Sequence, residues 1–284
     1  MKIVSRVREM QMTADELRRD GRRISIVPTM GSLHEGHLSL MRIARLHGDV
    51  VVTTIFVNPT QFAPNEDFAK YPRNLDRDTQ LAASAGTDIL FTPAAEEIYP
   101  HEYSTYVEVE RITRVLEGQF RATHFRGVTT IVAKLFNILK PHAAVFGQKD
   151  AQQVAVVRRM VHDLNFDLDV VVGPIIREPD GLAMSSRNVY LSESERKQST
   201  ALYRSLQHAE RCIKNGERSS LRVLSEMKEL IMAQPSARVE YVSIADPSSL
   251  EEIATISPDR SILVSLAVCF GATRLIDNML VSRP

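Results

Sequence analysis

The sequence predicts an α/β protein: a doubly wound parallel sheet followed by a smaller α+β unit. Three observations carry this. Residues 50–57 are nearly all β-branched or aromatic and end at Asn58-Pro59, as suits a strand buried on both faces. Shorter runs of the same kind alternate with amphipathic stretches over the first two-thirds of the chain, the order that right-handed βαβ units produce. After about residue 176 the alternation gives way to helices and then three extended segments.

Element by element, Thr13 and Glu16 fit a capping box and predict a helix start. Residues 24–27 predict a strand ending at Pro28, then a turn and a helix carrying Leu40, Met41, Ile43 and Ala44. Strands follow at 50–57 and at 89–91, the latter stopping before Pro93. A helix over 128–139 places Ile131, Val132, Leu135, Ile138 and Leu139 on one face. Residues 143–146 form the next strand. Val154, Val157, Val161 and Leu164 mark a helix, and 168–172 another strand. Ser192 and Glu195 make a second capping box, opening one long polar helix that runs to Gly216. A shorter helix over 221–232 and extended segments at 239–245, 261–270 and 275–281 complete the chain. This divides it into a Rossmann-like domain over 1–176 and a smaller α+β domain over 177–284, with no linker composition marking the boundary.

Composition narrows the function. Among 284 residues, 35 Lys and Arg balance 35 Asp and Glu, and the pI is about 7.1. A nucleic-acid partner would call for a basic excess or stripe. Cys212 and Cys269 are too few for a disulfide framework or a four-thiolate zinc site. The N-terminus is broken by charge, without a signal-peptide core. The longest mostly apolar run, 261–271, falls short of the ~20 residues that span a bilayer. The chain reads as soluble and cytoplasmic.

In an open parallel sheet, ligands bind beyond the carboxyl ends of the strands. Four polar clusters fall there. The first, Pro28 to His37, holds His34 and His37 three apart at a helix start, where unpaired amides and the helix dipole favour an anion. Surface histidines or ligands of a metal are the competing readings. The second is Asn58-Pro59-Thr60-Gln61-Phe62, whose Gln61 can both donate and accept. The third, Gly147-Gln148-Lys149-Asp150, offers a positive charge for phosphate and a carboxylate for ribose. The fourth is Met184-Ser185-Ser186-Arg187, two hydroxyls and a guanidinium fork suited to phosphate oxygens. Each alone is as well explained by an ordinary loop or cap, and the segment Arg121 to Gly127 is equally ambiguous.

In this order they are specific. The Thr29-x-Gly31-x-Leu33-His34-x-Gly36-His37 turn, followed about 150 residues later by Met184-Ser185-Ser186-Arg187, resembles the nucleotidyl-transferring superfamily that includes class I aminoacyl-tRNA synthetases. With Phe56 to Phe62, Tyr71-Pro72-Arg73, Thr123 to Val128, Phe146 to Asp150 and Asp180 to Asn188, the chain resembles the pantothenate synthetase family over essentially its whole length, most densely from 27 to 192. The resemblance implies ATP-dependent ligation of pantoate to β-alanine through an enzyme-bound pantoyl adenylate, giving pantothenate, AMP and pyrophosphate. It implies that Met30, Gly31, Ser32, Leu33, His34, Glu35, Gly36 and His37 line ATP. His34 and His37 would meet its phosphates, with His37 the proton donor. Gln61 and Gln153 would grip pantoate. Gly147, Gln148, Lys149 and Asp150 would hold ribose and α-phosphate, with Lys149 catalytic beside His34 and His37. Ile176 would offer backbone groups to adenine. Met184, Ser185, Ser186 and Arg187 would close on the β- and γ-phosphates, the smaller domain folding over ATP. Mg²⁺ would arrive with ATP, without an assigned protein ligand, and the molecule would be a homodimer. Ser32, Gln148 and the Arg77 between Asp76 and Asp78 depart from the family pattern, and the last leaves the metal-side contacts open.

Two rivals remain. A nucleotidyltransferase acting on a phosphate-bearing acceptor predicts a basic acceptor pocket rather than two neutral glutamines. A non-catalytic ATP sensor predicts binding without pyrophosphate release.

Overall fold

The computed structural model describes residues 1–64 and 66–281. The chain runs β1 (Lys2–Val4), α1 (Val7–Arg19), β2 (Ile24–Thr29), α2 (Glu35–His47), β3 (Val50–Ile55), α3 (Leu75–Ser84), β4 (Ile89–Phe91), α4 (Ala95–Ile98), α5 (Glu117–Phe120), α6 (His124–Leu139), β5 (Ala143–Gly147), α7 (Ala151–Asp163) and β6 (Asp169–Gly173). These strands form one parallel sheet in the order β1-β4-β3-β2-β5-β6. The chain builds outward from β2 on one side and then jumps to β5 on the other. The loops leaving β2 and β5 therefore diverge and open a crevice between them.

Alternate residues of the central strands serve opposite faces. Ile24, Ile26, Val50, Val52, Ala144 and Phe146 pack under α1, α6 and α7. Val27, Val51, Leu90 and Val145 pack with Leu38, Met41 and Ala44 of α2 and Ala82 of α3. Both faces being covered, the strands need apolar residues at consecutive positions, which is why the run at 50–57 is unbroken. Fully buried Phe91 alone contributes roughly 1.5–3 kcal/mol of transfer free energy.

Three expectations change. The helix of Thr13 and Glu16 starts earlier, at Val7, with no side-chain cap from Arg6. Its start is held from a distance instead, by Glu97, which accepts from the Val7 amide at 3.0 Å; Thr13, now mid-helix, accepts from Lys2 Nζ at 3.3 Å. The strand 24–27 runs on through Pro28 to Thr29, because β5 pairs only with Ser25 and Ile26, leaving no bond on that side for the missing Pro28 amide. The long polar helix is two, α8 (Glu193–Ser199) and α9 (Ala201–Lys214). At the joint the Ser199 and Thr200 hydroxyls donate to the carbonyls of Arg196 and Lys197, each at 2.8 Å, competing with the helical ladder. The Ser192–Glu195 capping box does open α8.

The last third adds α10 (Ser220–Met232) and the antiparallel sheet β7 (Ala237–Ala245), β8 (Ile262–Phe270) and β9 (Thr273–Val281), with β8 central. Helices α9 and α10 cover one face through Leu206, Ala209, Val223, Met227 and Ile231. The other face turns toward the parallel-sheet unit, where Leu263 packs with Leu116 and Ala155. Hence every residue of β8 is buried. Polar contacts join the units: Arg274 pairs with buried Glu117, and Asn278 donates to the carbonyls of Gln148 and Lys149 at 2.9 and 2.8 Å. No helix among the described residues is long and apolar enough to cross a membrane.

Candidate active site

The loop leaving β2 is shaped by two left-handed residues, Gly31 (φ +82°) and Ser32 (φ +51°). Thr29 Oγ1 accepts from the Gly31 amide at 3.2 Å and donates to the Thr54 carbonyl at 2.7 Å. The turn aims the amides of Ser32 and Leu33 at Asp78 of α3, which accepts them at 2.7 and 2.8 Å and is only 1 % exposed. A Cβ on Gly31 would meet that carboxylate at 3.0 Å. Arg77 donates to the Leu33 carbonyl at 3.1 Å. The acidic pair interrupted by Arg77 is thus partly a loop-holding device.

At the start of α2 the histidines cap the helix. His34 Nδ1 accepts from the Gly36 amide at 3.2 Å, and His37 Nδ1 accepts from the His34 amide at 3.3 Å. An Nδ1 that accepts carries no proton, so each neutral ring holds its proton on Nε2. The rings lie 4.2 Å apart. Burial, then the Lys149 charge, push the His34 pKa down to about 4. Burial, His34 and Lys149 push His37 down to about 3. Both are neutral at pH 7.

Beyond β3, Asn58 is a buried organiser. Its Nδ2 donates to Gln61 Oε1 and the Gly127 carbonyl at 3.0 and 3.1 Å, while its Oδ1 accepts from Tyr99 at 2.8 Å. Gln61 Nε2 reaches Met30 Sδ at 3.1 Å, a weak acceptor that a better one can displace. The Gln61 carbonyl lies 3.0 Å from His124 Nδ1. Burial and neighbouring Arg121 push His124 down to about 4. Arg121 is paired with Glu66.

The fourth cluster closes over the first. Ser186 Oγ donates to the Ser32 carbonyl at 3.2 Å, and the Met184 amide to the Ile176 carbonyl at 3.0 Å. Arg187 is paired with Asp67.

These elements enclose a cavity of about 220 Å³, lined among others by Met30, His34, Gly36, His37, Gln61, Gly147, Lys149, Asp150, Gln153, Ile176 and the whole of Met184 to Arg187. It adjoins a cleft of about 780 Å³ beneath β8 and β9; Lys149, Asp150, Gln153, Ser185 and Arg187 line both. The other expected site residues stand elsewhere. Leu33 is core, Gly31 and Ser32 shape the turn, Glu35 is exposed and paired with Arg42, and Gln148 bonds Asn278 at 3.0 Å. Sequence reasoning assigns no site role to Asp67, Tyr71, Arg121 and His124, which also line these spaces, since what brings each of them to the site lies far away along the chain.

Comparison with known proteins identifies the family. The sequence model of the family described as Pantoate-beta-alanine ligase matches residues 2–280. A pantothenate synthetase of Heliobacterium modesticaldum is 54% identical over 281 residues, 99% of each chain. The crystal structure of pantothenate synthetase from Thermus thermophilus superposes with TM-score 0.93 at 44% identity, covering 99% of this chain and 100% of that one. A pantoate-beta-alanine ligase from Francisella tularensis, described as complexed with beta-gamma ATP and beta-alanine, gives TM-score 0.80 at 33% identity over 99% of this chain and 98% of that one. The chain belongs to the pantoate–β-alanine ligase family.

Proposed function

We propose that the 220 Å³ cavity and its adjoining cleft house the whole ligation, with the following division of labour among the lining residues. The enzyme is an ATP-dependent ligase that joins pantoate to β-alanine. The pantoate carboxylate attacks the α-phosphorus of ATP and expels pyrophosphate. The amine of β-alanine, its proton lost to solvent, then attacks the acyl carbon and expels AMP. Neither step needs covalent help from the protein; positioning and neutralisation of developing charge suffice.

The observation that carries the assignment is the convergence of a neutral imidazole pair, Lys149 and two glutamines on one cavity. His34 and His37, fixed through Nδ1, donate Nε2–H to phosphate oxygens as charge grows there. Lys149 supplies the positive charge at the α-phosphate. Gln61 and Gln153 hold the pantoate hydroxyls and carboxylate without adding charge, the feature that separates this reading from a transferase with a basic acceptor pocket. Gly147 and Asp150 take the ribose, Ile176 the adenine edge, and Met184 to Arg187 the β- and γ-phosphates. Mg²⁺ would come with ATP, held mostly by phosphate oxygens and water, and would supply neutralisation of the pyrophosphate charge. We place the domain boundary at 176/177, since Arg177 already belongs to the C-terminal unit through its ion pair with Asp277. The family resemblance supports a homodimer working in the cytoplasm.

The test is AMP release by the purified chain, required to depend on both pantoate and β-alanine. AMP formed without either compound would sink the assignment. ATP binding with no pyrophosphate release would favour the sensor.

A further inference from the structure

One cluster with metal-ligand chemistry lies away from both cavities. His208 and Cys212 sit one turn apart on α9, and Glu226 faces them from α10. The i, i+4 spacing sets imidazole and thiol on the same side of the helix. His208 Nε2 lies 2.7 Å from Glu226 Oε2, and Cys212 Sγ lies 3.4 Å from His208 Nε2 and 3.5 Å from Glu226 Oε2. Among the described residues this is the one group of three His, Cys, Asp or Glu side chains with ligand atoms so close together.

A tetrahedral Zn²⁺ with bonds of about 2.0–2.3 Å holds its ligand atoms about 3.4–3.6 Å apart. Two edges of the observed triangle already have that length. The third opens by about 0.7 Å when a metal replaces the His208–Glu226 hydrogen bond. Arg222 Nε donates to Glu226 Oε1 at 3.2 Å. That contact orients the carboxylate and leaves Oε2 facing the other two donors, as outer-shell partners do in metal sites. Thiolate, imidazole and carboxylate together suit Zn²⁺ rather than Mg²⁺ or Ca²⁺. All three side chains are half-buried on the flank of the helix pair, so a fourth position is open to water.

We propose that His208, Cys212 and Glu226 bind one Zn²⁺-class ion that ties α9 to α10, the two helices covering the outer face of the three-stranded sheet. On binding, the Cys212 S–H proton passes to solvent as the metal–sulfur bond forms. The proton that bridges His208 Nε2 to the ionised Glu226 leaves as well, returning through solvent to Nδ1, and this frees the Nε2 lone pair for the metal. None of the three lines either cavity, so the site is separate from the ligase chemistry.

The experiment titrates the metal-free, untagged full chain with Co²⁺ in the absence of nucleotide. One equivalent should bind with a thiolate-to-cobalt charge-transfer band, which Zn²⁺ displaces. Cys212→Ser should abolish the band, Cys269→Ser should leave it, and Glu226→Gln should weaken Co²⁺ binding about tenfold or more. Zn²⁺ should raise the melting temperature of the unsubstituted chain and not that of Cys212→Ser. Absence of the band in the unsubstituted chain overturns the proposal, as does a band that survives Cys212→Ser. If Cys212→Ser does not fold, unchanged Co²⁺ affinity in Glu226→Gln overturns it equally.

Discussion

Arg187 and Asp67 form a two-pronged ion pair, Nε and Nη2 each 3.0 Å from a different carboxylate oxygen, with the guanidinium 5.9 Å from the Tyr71 ring centre. The pair joins the 183–188 loop to the helical turn at 67–69. In the proposed function phosphate oxygens ask the same geometry of Arg187 as the Asp67 carboxylate does, and the two compete for it. Asp67→Asn should therefore lower the KM for ATP by about fivefold, the equivalent of ~1 kcal/mol. Arg187→Lys should raise it about tenfold or more, because an ammonium cannot reproduce the fork. Steady-state kinetics with ATP varied decides this; an unchanged KM in Asp67→Asn would mean that the pair stays closed during turnover.

Asp78 is the residue on which the Gly31–Leu33 turn rests. In Asp78→Asn one of the Ser32 and Leu33 amides would face an NH₂ group instead of an oxygen. Leaving a buried donor unpaired costs about 1–3 kcal/mol. Thermal unfolding should show a fall of several degrees in Tm, together with a rise in the KM for ATP. A variant with unaltered Tm and KM would contradict the role assigned to this carboxylate.

Turnover should fall about tenfold or more in both His37→Ala and Lys149→Ala, the loss expected on removing ~1.4 kcal/mol or more of transition-state stabilisation. Circular dichroism would establish that each variant is folded. Near-normal kcat in either would remove that residue from the mechanism.

The pH dependence of stability follows from the same histidines. His34, His37 and His124 have folded pKa values depressed to about 4, 3 and 4, against about 6.5 unfolded. Between these limits the unfolded chain binds more protons than the folded one, so stability rises with pH. It is fully present above about pH 6.5 and is lost as pH falls toward 4. Urea unfolding at a series of pH values should show this limb, and His124→Gln should flatten it. An equal slope in that variant would mean that His124 is exposed to protons in the folded state.

Much of this was legible in the sequence, and the parts that were not share a cause. The parallel sheet could be read because strands such as β3 and β5 are covered on both faces and must be apolar throughout. The start of α1 could not, since its cap is the carboxylate of Glu97, far along the chain. Three of the four site clusters could be placed because they directly follow β2, β3 and β5, whereas Met184 to Arg187 lies well past the end of β6. That Glu35, inside the first cluster, points away to Arg42 depends on which side of α2 meets the sheet, a matter of packing. Gly127 is a further case. A Cβ there would come within 2.5 Å of the Thr60 carbonyl and 2.6 Å of the Gln61 amide. Its absence lets the Gln61 loop lie against α6, and nothing local to residue 127 announces a neighbour more than sixty positions away.

The cap of α2 divides each of its two rings between separate tasks. One nitrogen is committed to the backbone, and the proposed function gives the other to an incoming anion, so that architecture and recognition share a side chain yet are separable atom by atom. Asparagine at 34 places an oxygen near where Nδ1 stands and is itself a favoured helix cap, while offering nothing at the reach of Nε2. A protein carrying it would keep its scaffold and lose its grip, whereas alanine would confound the two.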